Sequence, residues 1–222
     1  MRISAISAEV SPMTNMHSEE ASIQKGKGLF KADVVVSPFE DRMVVRKDYS
    51  RYRNTLLSPI ASFIIGRETK LLQRVRDIPC CPDLVRVDDK FSFTMEYIDG
   101  KNVRESVRDG ARIRFHDILK AINMLHRNDI IHNDLRGANI LVDRQGGIFI
   151  VDFASAIVIP KPLRFLKTRL RCLDLASALK IKKKLLNQPL TEKELKIMSG
   201  RKWLKVVQYV WKQQILRLFG RR

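Results

Sequence analysis

The apolar positions of this chain follow two kinds of pattern, one typical of strands and one typical of helices. Residues 43–47, Met-Val-Val-Arg-Lys, are rich in β-branched side chains and predict a short strand that ends in lysine. Ser58-Pro59 is typical of a helix start, and beyond it apolar residues recur at helical spacing. The predicted helix face consists of Ile64, Glu68, Leu71, Leu72 and Val75.

One residue of that face, Glu68, is charged. A buried carboxylate needs a partner, so the pattern predicts that a cation lies against this helix. The alternative is that Glu68 lies at the edge of the helix and reaches solvent.

Further along the chain, a helical pattern covers residues 114–127, and a strand pattern at residues 93–98 runs into a turn at Asp99-Gly100. The longest apolar stretch, residues 148–159, contains Asp152 and a Phe-Ala-Ser sequence. It predicts a buried strand followed by a loop. Strands and helices of this kind indicate an α+β fold.

Polar side chains suited to phosphoryl transfer are concentrated in two short segments. Asp134 and Asn139 lie five positions apart in the turn between Ile131 and Ile140, and Asp152 follows Asp134 by eighteen residues. Mg²⁺ takes oxygen ligands and is usually held by one or two protein groups together with substrate phosphates. A phosphoryl acceptor also needs a carboxylate near its hydroxyl. The alternative is a polar turn between two strands of some other α/β domain.

These segments resemble two motifs of the protein-kinase fold. Residues 132–139, HNDLRGAN, are similar to the H-R-D-L-x-x-x-N catalytic loop, and residues 152–154, DFA, to the D-F-G metal loop. The resemblance implies that Asp134 is the catalytic base, that Asn139 and Asp152 bind Mg²⁺, and that ATP is the phosphate donor. Arg136 is then expected to stabilise the transferred phosphoryl group, or else to contact substrate or solvent.

The resemblance extends upstream of the catalytic loop. Lys47 ends a strand similar to the V-A-I-K strand, whose lysine binds the α- and β-phosphates. In that fold the lysine is paired with a helix glutamate, which implies a Lys47–Glu68 ion pair. Gly26 and Gly28 stand where the phosphate-covering loop is expected, although no third glycine follows. Residues 93–100 resemble the hinge between the lobes.

The hinge resemblance implies that adenine is held by the Glu96 carbonyl and the Ile98 amide, with Met95 at the back of the pocket. We therefore predict a two-lobed protein-kinase-like fold, with a small β-rich N-lobe that has one helix and a reduced helical C-lobe. The expected organisation is a disordered lead-in at residues 1–22, an ATP-binding N-lobe at 23–98, and a C-lobe with a basic helical tail at 99–222.

Charge is distributed unevenly along the chain. Its formal net charge is +18, and residues 160–222 carry eighteen basic and three acidic side chains, a net +15. This balance predicts a polyanionic partner: anionic lipid, a phosphorylated glycan or nucleic acid, although no nucleic-acid recognition motif is present. Residues 201–219 mix tryptophan and phenylalanine with lysine and arginine, which suits either a membrane interface or packing on the C-lobe.

No run of about twenty apolar residues occurs, so no membrane span is expected. Cys80, Cys81 and Cys172 do not form a disulfide or zinc pattern, and we expect free thiols in a reducing cytosol.

The departures from the kinase pattern indicate a subfamily. Asn133 replaces the arginine that usually precedes the catalytic aspartate, and Ala154 replaces the glycine of the D-F-G loop. No A-P-E tripeptide closes the short segment after Asp152. This form resembles bacterial lipopolysaccharide-core (Kdo/heptose) kinases and RIO-type atypical kinases. It implies an ATP:alcohol phosphotransferase on the cytoplasmic face of the inner membrane, acting on a sugar hydroxyl of a membrane-anchored glycolipid.

Two alternatives stay open. The first is a RIO-like protein serine/threonine kinase, and the second is a pseudokinase-like binding module that does not respond to Mg-ATP. Because Asn133 cannot pair with a phosphorylated loop as arginine does, we expect constitutive activity. The oligomeric state is left open.

Overall fold

The structure, a computed structural model, describes residues 21–24 and 31–199 of the 222-residue chain. Gly26 and Gly28, most of the predicted lead-in (residues 1–20) and the basic tail at residues 201–219 lie outside the described residues.

The N-lobe is built on a five-stranded antiparallel sheet. Its strands are β1 Ala21–Gln24, β2 Asp33–Phe39, β3 Arg42–Asp48, β4 Leu84–Val87 and β5 Ser92–Glu96. The spatial order is β1-β2-β3-β5-β4, so β3 is the central strand. Lys47 in β3 pairs with Phe93 in β5, which is fully buried. Strand β1 includes two residues, Ala21 and Ser22, that the sequence placed in the lead-in.

One long helix, α1 Ser58–Val75, packs on this sheet. Pro59 lies in its first turn, where the missing backbone N–H has no helical partner to lose. Ile65, Leu72 and Val75 are buried, and Glu68 lies on the same buried side. The predicted helix start and the predicted apolar face are therefore confirmed.

The C-lobe is mainly helical. Its helices are α2 Val103–Arg108, α3 Phe115–Arg127, α4 Lys167–Lys184 and α5 Glu192–Ser199. Its short strands are β6 Gly100–Asn102, β7 Ile130–Ile131, β8 Ile140–Asp143, β9 Ile148–Ile150 and β10 Ile157–Val158. Strands β6, β8 and β9 form one small sheet, and β7 pairs with β10.

Short 3₁₀ turns connect several of these elements. They cover Ser50–Tyr52, Gly137–Asn139, Phe153–Ser155 and Lys161–Leu166.

The core of the C-lobe lies between α3 and α4. Ile118, Ile122 and Leu125 of α3 are fully buried, and Ala176 and Leu179 are buried on α4. The two packed helices support the loops that follow β7 and β9. A β-rich lobe with one long helix and a helical lobe together confirm the predicted α+β, two-lobed fold.

The two lobes are joined where β5 runs into β6. Gly100 is required there because a Cβ at this position would lie 2.7 Å from the Val142 carbonyl oxygen. The backbone of β6 can approach β8 this closely only without a side chain. The hinge is thereby packed directly on the strand that follows the catalytic loop.

The cysteines are all free, as predicted, with Cys80 and Cys81 buried and Cys172 half-buried. Among the helices of the described residues, none is long and apolar enough to cross a bilayer.

Candidate active site

Lys47 joins the two lobes at the cleft. Its Nζ lies 2.6 Å from Glu68 Oε1 in α1 and 3.1 Å from Asp152 Oδ1 in the metal loop (residues 152–154). The ion pair predicted between Lys47 and Glu68 is therefore formed, and Glu68 does not reach solvent, with only 1% of its surface exposed. The contact with Asp152 spans 105 positions of sequence.

The charges of this cluster reinforce one another. Burial acts to lower the pKa of Lys47, but the carboxylates of Glu68 and Asp152 outweigh it and raise that pKa above its ordinary value. The Lys47 ammonium in turn holds the pKa of Asp152 below its ordinary value. Burial raises the pKa of Glu68, and Lys47 opposes this shift. Lys47 and Asp152 are consequently both ionised at neutral pH.

The catalytic loop (residues 132–139) holds its polar side chains with internal hydrogen bonds. Asn139 Nδ2 donates to the Asp134 carbonyl at 2.9 Å, and the Val151 amide donates to the Asn139 carbonyl at 3.0 Å. Arg136 donates to Asp134 Oδ2 at 2.8 Å, and 62% of the Arg136 side chain is exposed. The end of β9 is thus fixed to the catalytic loop at the residue that precedes Asp152.

The catalytic loop is anchored from below by Asp174 of α4. Its buried carboxylate accepts hydrogen bonds of 2.8 Å from the amides of both His132 and Asn133. His126 Nε2 of α3 lies 2.9 Å from the same carboxylate. This role of Asp174 was not predicted from the sequence. The available signal was an acidic residue within an apolar helical stretch, because such a residue needs buried partners.

The metal loop is fixed by packing and by polar contacts. Phe153 is buried against the His132 ring, with 5.3 Å between the ring centroids. Arg67 of α1 donates a hydrogen bond to the Ala156 carbonyl, a second contact that sequence analysis missed. Hydrogen bonds to backbone carbonyls leave no pattern in the side chains of the acceptor segment, so no sequence signal pointed to Arg67.

The predicted hinge residues lie at the end of β5 and just beyond it. Met95 is buried and pairs with Val45 of β3, two positions from Lys47. Ile98 is buried and Glu96 is half-buried. Met95 and Glu96 therefore lie in the strand pair that carries Lys47, and Ile98 follows two residues beyond the end of β5. Gly26 and Gly28 are outside the described residues.

Metal-binding capacity in the cleft rests on few protein groups. Within residues 31–199, no cluster of three or more His, Cys, Asp or Glu side chains has the arrangement of a metal site. Mg²⁺ needs only one or two protein oxygen ligands when phosphates supply the others. Asn139 and Asp152, the two residues to which the resemblance assigns Mg²⁺, both carry such oxygen donors.

Comparison with known proteins agrees with this geometry. Residues 40–173, more than half of the chain, match the protein kinase domain. The chain belongs to the protein kinase domain family. The kinase-family prediction is thus confirmed, while the lipopolysaccharide-core and RIO assignments stay predictions.

Several curated kinases and one tRNA-modification protein resemble parts of this chain. A probable bifunctional tRNA threonylcarbamoyladenosine biosynthesis protein of Methanocaldococcus jannaschii is 34% identical over 134 residues, covering 58% of this chain and 24% of the relative. A probable serine/threonine-protein kinase KIN1 homolog of Enterocytozoon bieneusi is 33% identical over 78 residues, covering 32% and 13% respectively. The serine/threonine-protein kinase PrkC of Bacillus subtilis is 32% identical over 81 residues, covering 33% and 12%. The matched segments span no more than about a quarter of these relatives.

Proposed function

We propose that this kinase-family protein is an enzyme that transfers the γ-phosphate of ATP to an alcohol. The observation that carries the proposal is the contact of Lys47 with both Glu68 and Asp152. It joins a phosphate-binding cation from one lobe to a metal-binding carboxylate from the other. A lysine that is merely exposed would not hold two carboxylates from distant parts of the chain.

In this proposal each residue of the cleft has a defined task. Lys47, positioned by Glu68, binds the α- and β-phosphates. Asp134 accepts the proton of the attacking hydroxyl, and 39% of its side chain is exposed, so an acceptor can reach it. Adenine would lie between the lobes, against the hinge residues Met95, Glu96 and Ile98. The expected role of Gly26 and Gly28 at the phosphates falls on residues outside the described part of the chain.

Asn139 and Asp152 would hold Mg²⁺. Both offer oxygen donors, which suit this cation. The hydrogen bond from Asn139 Nδ2 to the Asp134 carbonyl fixes the amide, so its oxygen is directed away from that bond. The low pKa of Asp152 keeps its carboxylate ionised. Mg²⁺ held by these two side chains would neutralise negative charge that develops on the phosphates during transfer.

Arg136 has two tasks in this proposal. Its contact with Asp134 orients the carboxylate in the free protein. An exposed ion pair of this kind contributes only about 0–1 kcal/mol, so the guanidinium can turn toward the phosphoryl group at little cost. There it would stabilise the negative charge of the transition state.

The favoured acceptor is a sugar hydroxyl of the lipopolysaccharide inner core. Only twelve residues separate the metal loop from the start of α4 at Lys167, which leaves little chain to support an extended peptide. The alternative acceptor is a protein serine or threonine, as in a RIO-like kinase. The names of the kinase relatives favour this alternative, because they describe serine/threonine kinases.

Location is part of the same proposal, with the protein docked peripherally on the cytoplasmic face of the inner membrane. The 3₁₀ turn Lys161–Leu166 presents Phe165 with 74% and Leu163 with 42% of their surfaces exposed. No acidic residue lies between Asp152 and Asp174, whereas five basic residues do. Exposed apolar side chains within a basic segment suit an anionic lipid surface.

The position of this docking turn (residues 161–166) keeps it clear of the cleft. In the β7–β10 ladder, Ile157 pairs with Ile131 and Val158 with Ile130. The chain therefore runs away from the catalytic loop as it approaches the turn. Contact with a membrane through the docking turn would leave Asp134 open to an acceptor.

Activity is tested by Mg²⁺-dependent transfer of labelled γ-phosphate with three parallel acceptors: lipopolysaccharide core lacking phosphate, a general protein substrate, and none. Label on the glycolipid that is lost in Asp134→Asn supports the favoured acceptor. Label on protein alone supports the RIO-like alternative. Transfer by Asp134→Asn at the wild-type rate would overturn the assignment of the base, and the absence of transfer with every acceptor would count against a kinase activity.

Docking is tested separately, by co-sedimentation with vesicles of phosphatidylcholine alone or mixed with phosphatidylglycerol. The double variant Leu163→Ser/Phe165→Ser is expected to reduce partitioning onto the anionic vesicles by about tenfold or more, since two apolar side chains no longer insert. Leu56→Ser is the matched control, because Leu56 is 99% exposed in the other lobe. If the double variant and the control bind the anionic vesicles equally, the docking turn is not the membrane contact.

A further inference from the structure

The cleft is assembled only if α1 and the metal loop keep one relative position. Glu68 comes from α1 and Asp152 from the metal loop, and Lys47 contacts both. A shift of either element would separate at least one carboxylate from the lysine. Contacts outside this cluster that join α1 to the segment after Asp152 would help to keep that relative position.

Arg67 makes that contact from the helix side. It immediately precedes Glu68 in α1, and its guanidinium donates a hydrogen bond to the Ala156 carbonyl. One turn of α1 therefore supplies Glu68 to Lys47 and also binds the chain four residues beyond Asp152. Burial lowers the pKa of the Arg67 guanidinium and the Glu68 carboxylate opposes this shift, and an arginine stays protonated near neutral pH.

Asn133 makes the corresponding contact from the catalytic loop. Its Nδ2 lies 3.4 Å from the Ser155 carbonyl, the neighbour of the Ala156 carbonyl. Asn133 has a positive φ of 64°, which asparagine tolerates better than most residues. This backbone conformation, together with the bond from its amide to Asp174, aims the side chain at the segment. Two adjacent carbonyls are thus held from two different elements.

The held segment also makes contacts of its own. Phe153 is buried against His132, and the Ala156 amide donates to the Phe153 carbonyl at 3.0 Å. Fixing the carbonyls of Ser155 and Ala156 therefore fixes the turn that carries Asp152. Each of these contacts uses an unmodified side chain and the backbone, so phosphorylation does not have to supply any of them.

We propose that Arg67 and Asn133 are positioning residues that brace the metal loop against α1 and the catalytic loop, so that the cleft is assembled without phosphorylation of the chain. We call this pair of contacts the brace. It takes the place of the arginine before the catalytic aspartate, which in other kinases pairs with a phosphorylated loop. The kinetic part of this inference rests on the proposed phosphotransferase activity; the structural part does not.

The brace is tested with four single variants of the full chain. Arg67→Met removes the donor and keeps the bulk, and Arg67→Lys keeps one cationic donor. Asn133→Gly removes the side chain and permits the positive φ. Arg74→Met is the matched control, since Arg74 is an exposed arginine on the same helix.

The first readout is phosphate transfer by protein that has been treated with a phosphatase and shown by intact mass to carry no phosphate. Wild type and Arg74→Met are expected to be fully active. In Arg67→Met we expect kcat to fall about tenfold or more, which corresponds to the loss of one hydrogen bond from a charged group. Arg67→Lys is expected to recover part of this loss. Asn133→Gly is expected to fall less than Arg67→Met, because its contact is longer and neutral. An inactive dephosphorylated wild type that regains activity on phosphorylation would overturn the proposal.

The second readout is hydrogen–deuterium exchange of residues 152–158, which needs no enzyme activity. Exchange in this segment is expected to be faster in Arg67→Met and Asn133→Gly than in wild type and Arg74→Met. Unchanged exchange in Arg67→Met would overturn the brace even if the protein transfers phosphate. If wild type transfers no phosphate but Arg67→Met still exchanges faster, the proposed function fails and the brace stands.

Discussion

The buried carboxylate of Asp174 accepts a 2.8 Å hydrogen bond from the backbone amide of His132, two residues before Asp134. Helix α4 therefore fixes the loop that carries the proposed base, across 42 positions of sequence. The same carboxylate also accepts from the Asn133 amide. Asp174 is thus a structural support of the active site that does not itself face the cleft.

Removal of this support is expected to be costly. Asp174→Ala leaves the buried His132 amide and the part-buried Asn133 amide without an acceptor, and we expect the free energy of unfolding to fall by about 3–5 kcal/mol. Urea denaturation followed by circular dichroism measures this change. Asp77→Ala is the control, because the Asp77 side chain is 90% exposed, and it should change stability by less than about 0.5 kcal/mol. Similar losses for the two variants would show that Asp174 is not an anchor.

Lys47 and Glu68 are expected to act as one unit. Lys47→Met removes the phosphate-binding cation and leaves the Glu68 carboxylate buried without its partner. We expect kcat/KM for ATP to fall by about 10²–10³-fold in Lys47→Met. Glu68→Gln is expected to lower it less.

The double variant Lys47→Met/Glu68→Gln tests whether this pair is coupled. It should be no worse than Lys47→Met alone, because neighbouring residues of one ion pair are not additive. If the loss of kcat/KM in the double variant equals the product of the losses in the two single variants, the coupling is contradicted.

Two glycines are expected to respond in opposite directions to alanine. Gly66→Ala, within α1, places its Cβ where no heavy atom lies within 4 Å. It is expected to raise stability by about 0.5–1 kcal/mol through helix propensity. Gly100→Ala drives its Cβ to 2.7 Å from the Val142 carbonyl oxygen and is expected to cost about 1–3 kcal/mol. Thermal melting of the two variants gives the signs directly, and a stabilising Gly100→Ala would contradict the close approach at the hinge.

Stability is expected to fall as the pH is lowered through the range where histidine ordinarily titrates. Burial lowers the pKa of His132, although Asp174 and neighbouring groups oppose this shift. The unfolded chain therefore takes up a proton near pH 6.5 that the folded chain resists. This contribution is fully present above that pH, and it is lost progressively below it until the folded-state pKa is reached.

The histidine contribution is isolated by comparing wild type with His132→Phe. Chemical denaturation at several values between about pH 5 and pH 8 should give a flatter profile for the variant, whatever its absolute stability. Identical slopes in the two proteins would assign the pH dependence to other groups.

The sequence predicted the local parts of the site well. The helix that begins at Ser58 and carries Glu68 on its buried face was visible because helical periodicity is a local property. The spacing of Asp134 and Asn139 was informative for the same reason: a short turn brings such residues together whatever the rest of the chain does. The Lys47–Glu68 pair followed from these local elements only with the help of a family resemblance.

The long-range supports of the site could not be predicted from the sequence. Arg67 binds a backbone carbonyl 89 positions away. Every residue has the same backbone carbonyl, whatever its side chain. Nothing in the residue type of Ala156 marks it as the acceptor. Asp174 was recognisable as an acidic residue in an apolar helix. Its partners could not be predicted, because they are backbone amides, which every residue type except proline has.

The sequence by itself thus determined which chemical groups the cleft contains and which short elements carry them. Only the tertiary structure decided that Lys47 meets Asp152, that Asp174 supports the catalytic loop, and that Arg67 ties α1 to the metal loop. The physical reason is that periodicity and spacing follow from the geometry of neighbouring peptide units. Contacts between distant segments depend on how helices and sheets pack, and no local pattern of side chains records that packing.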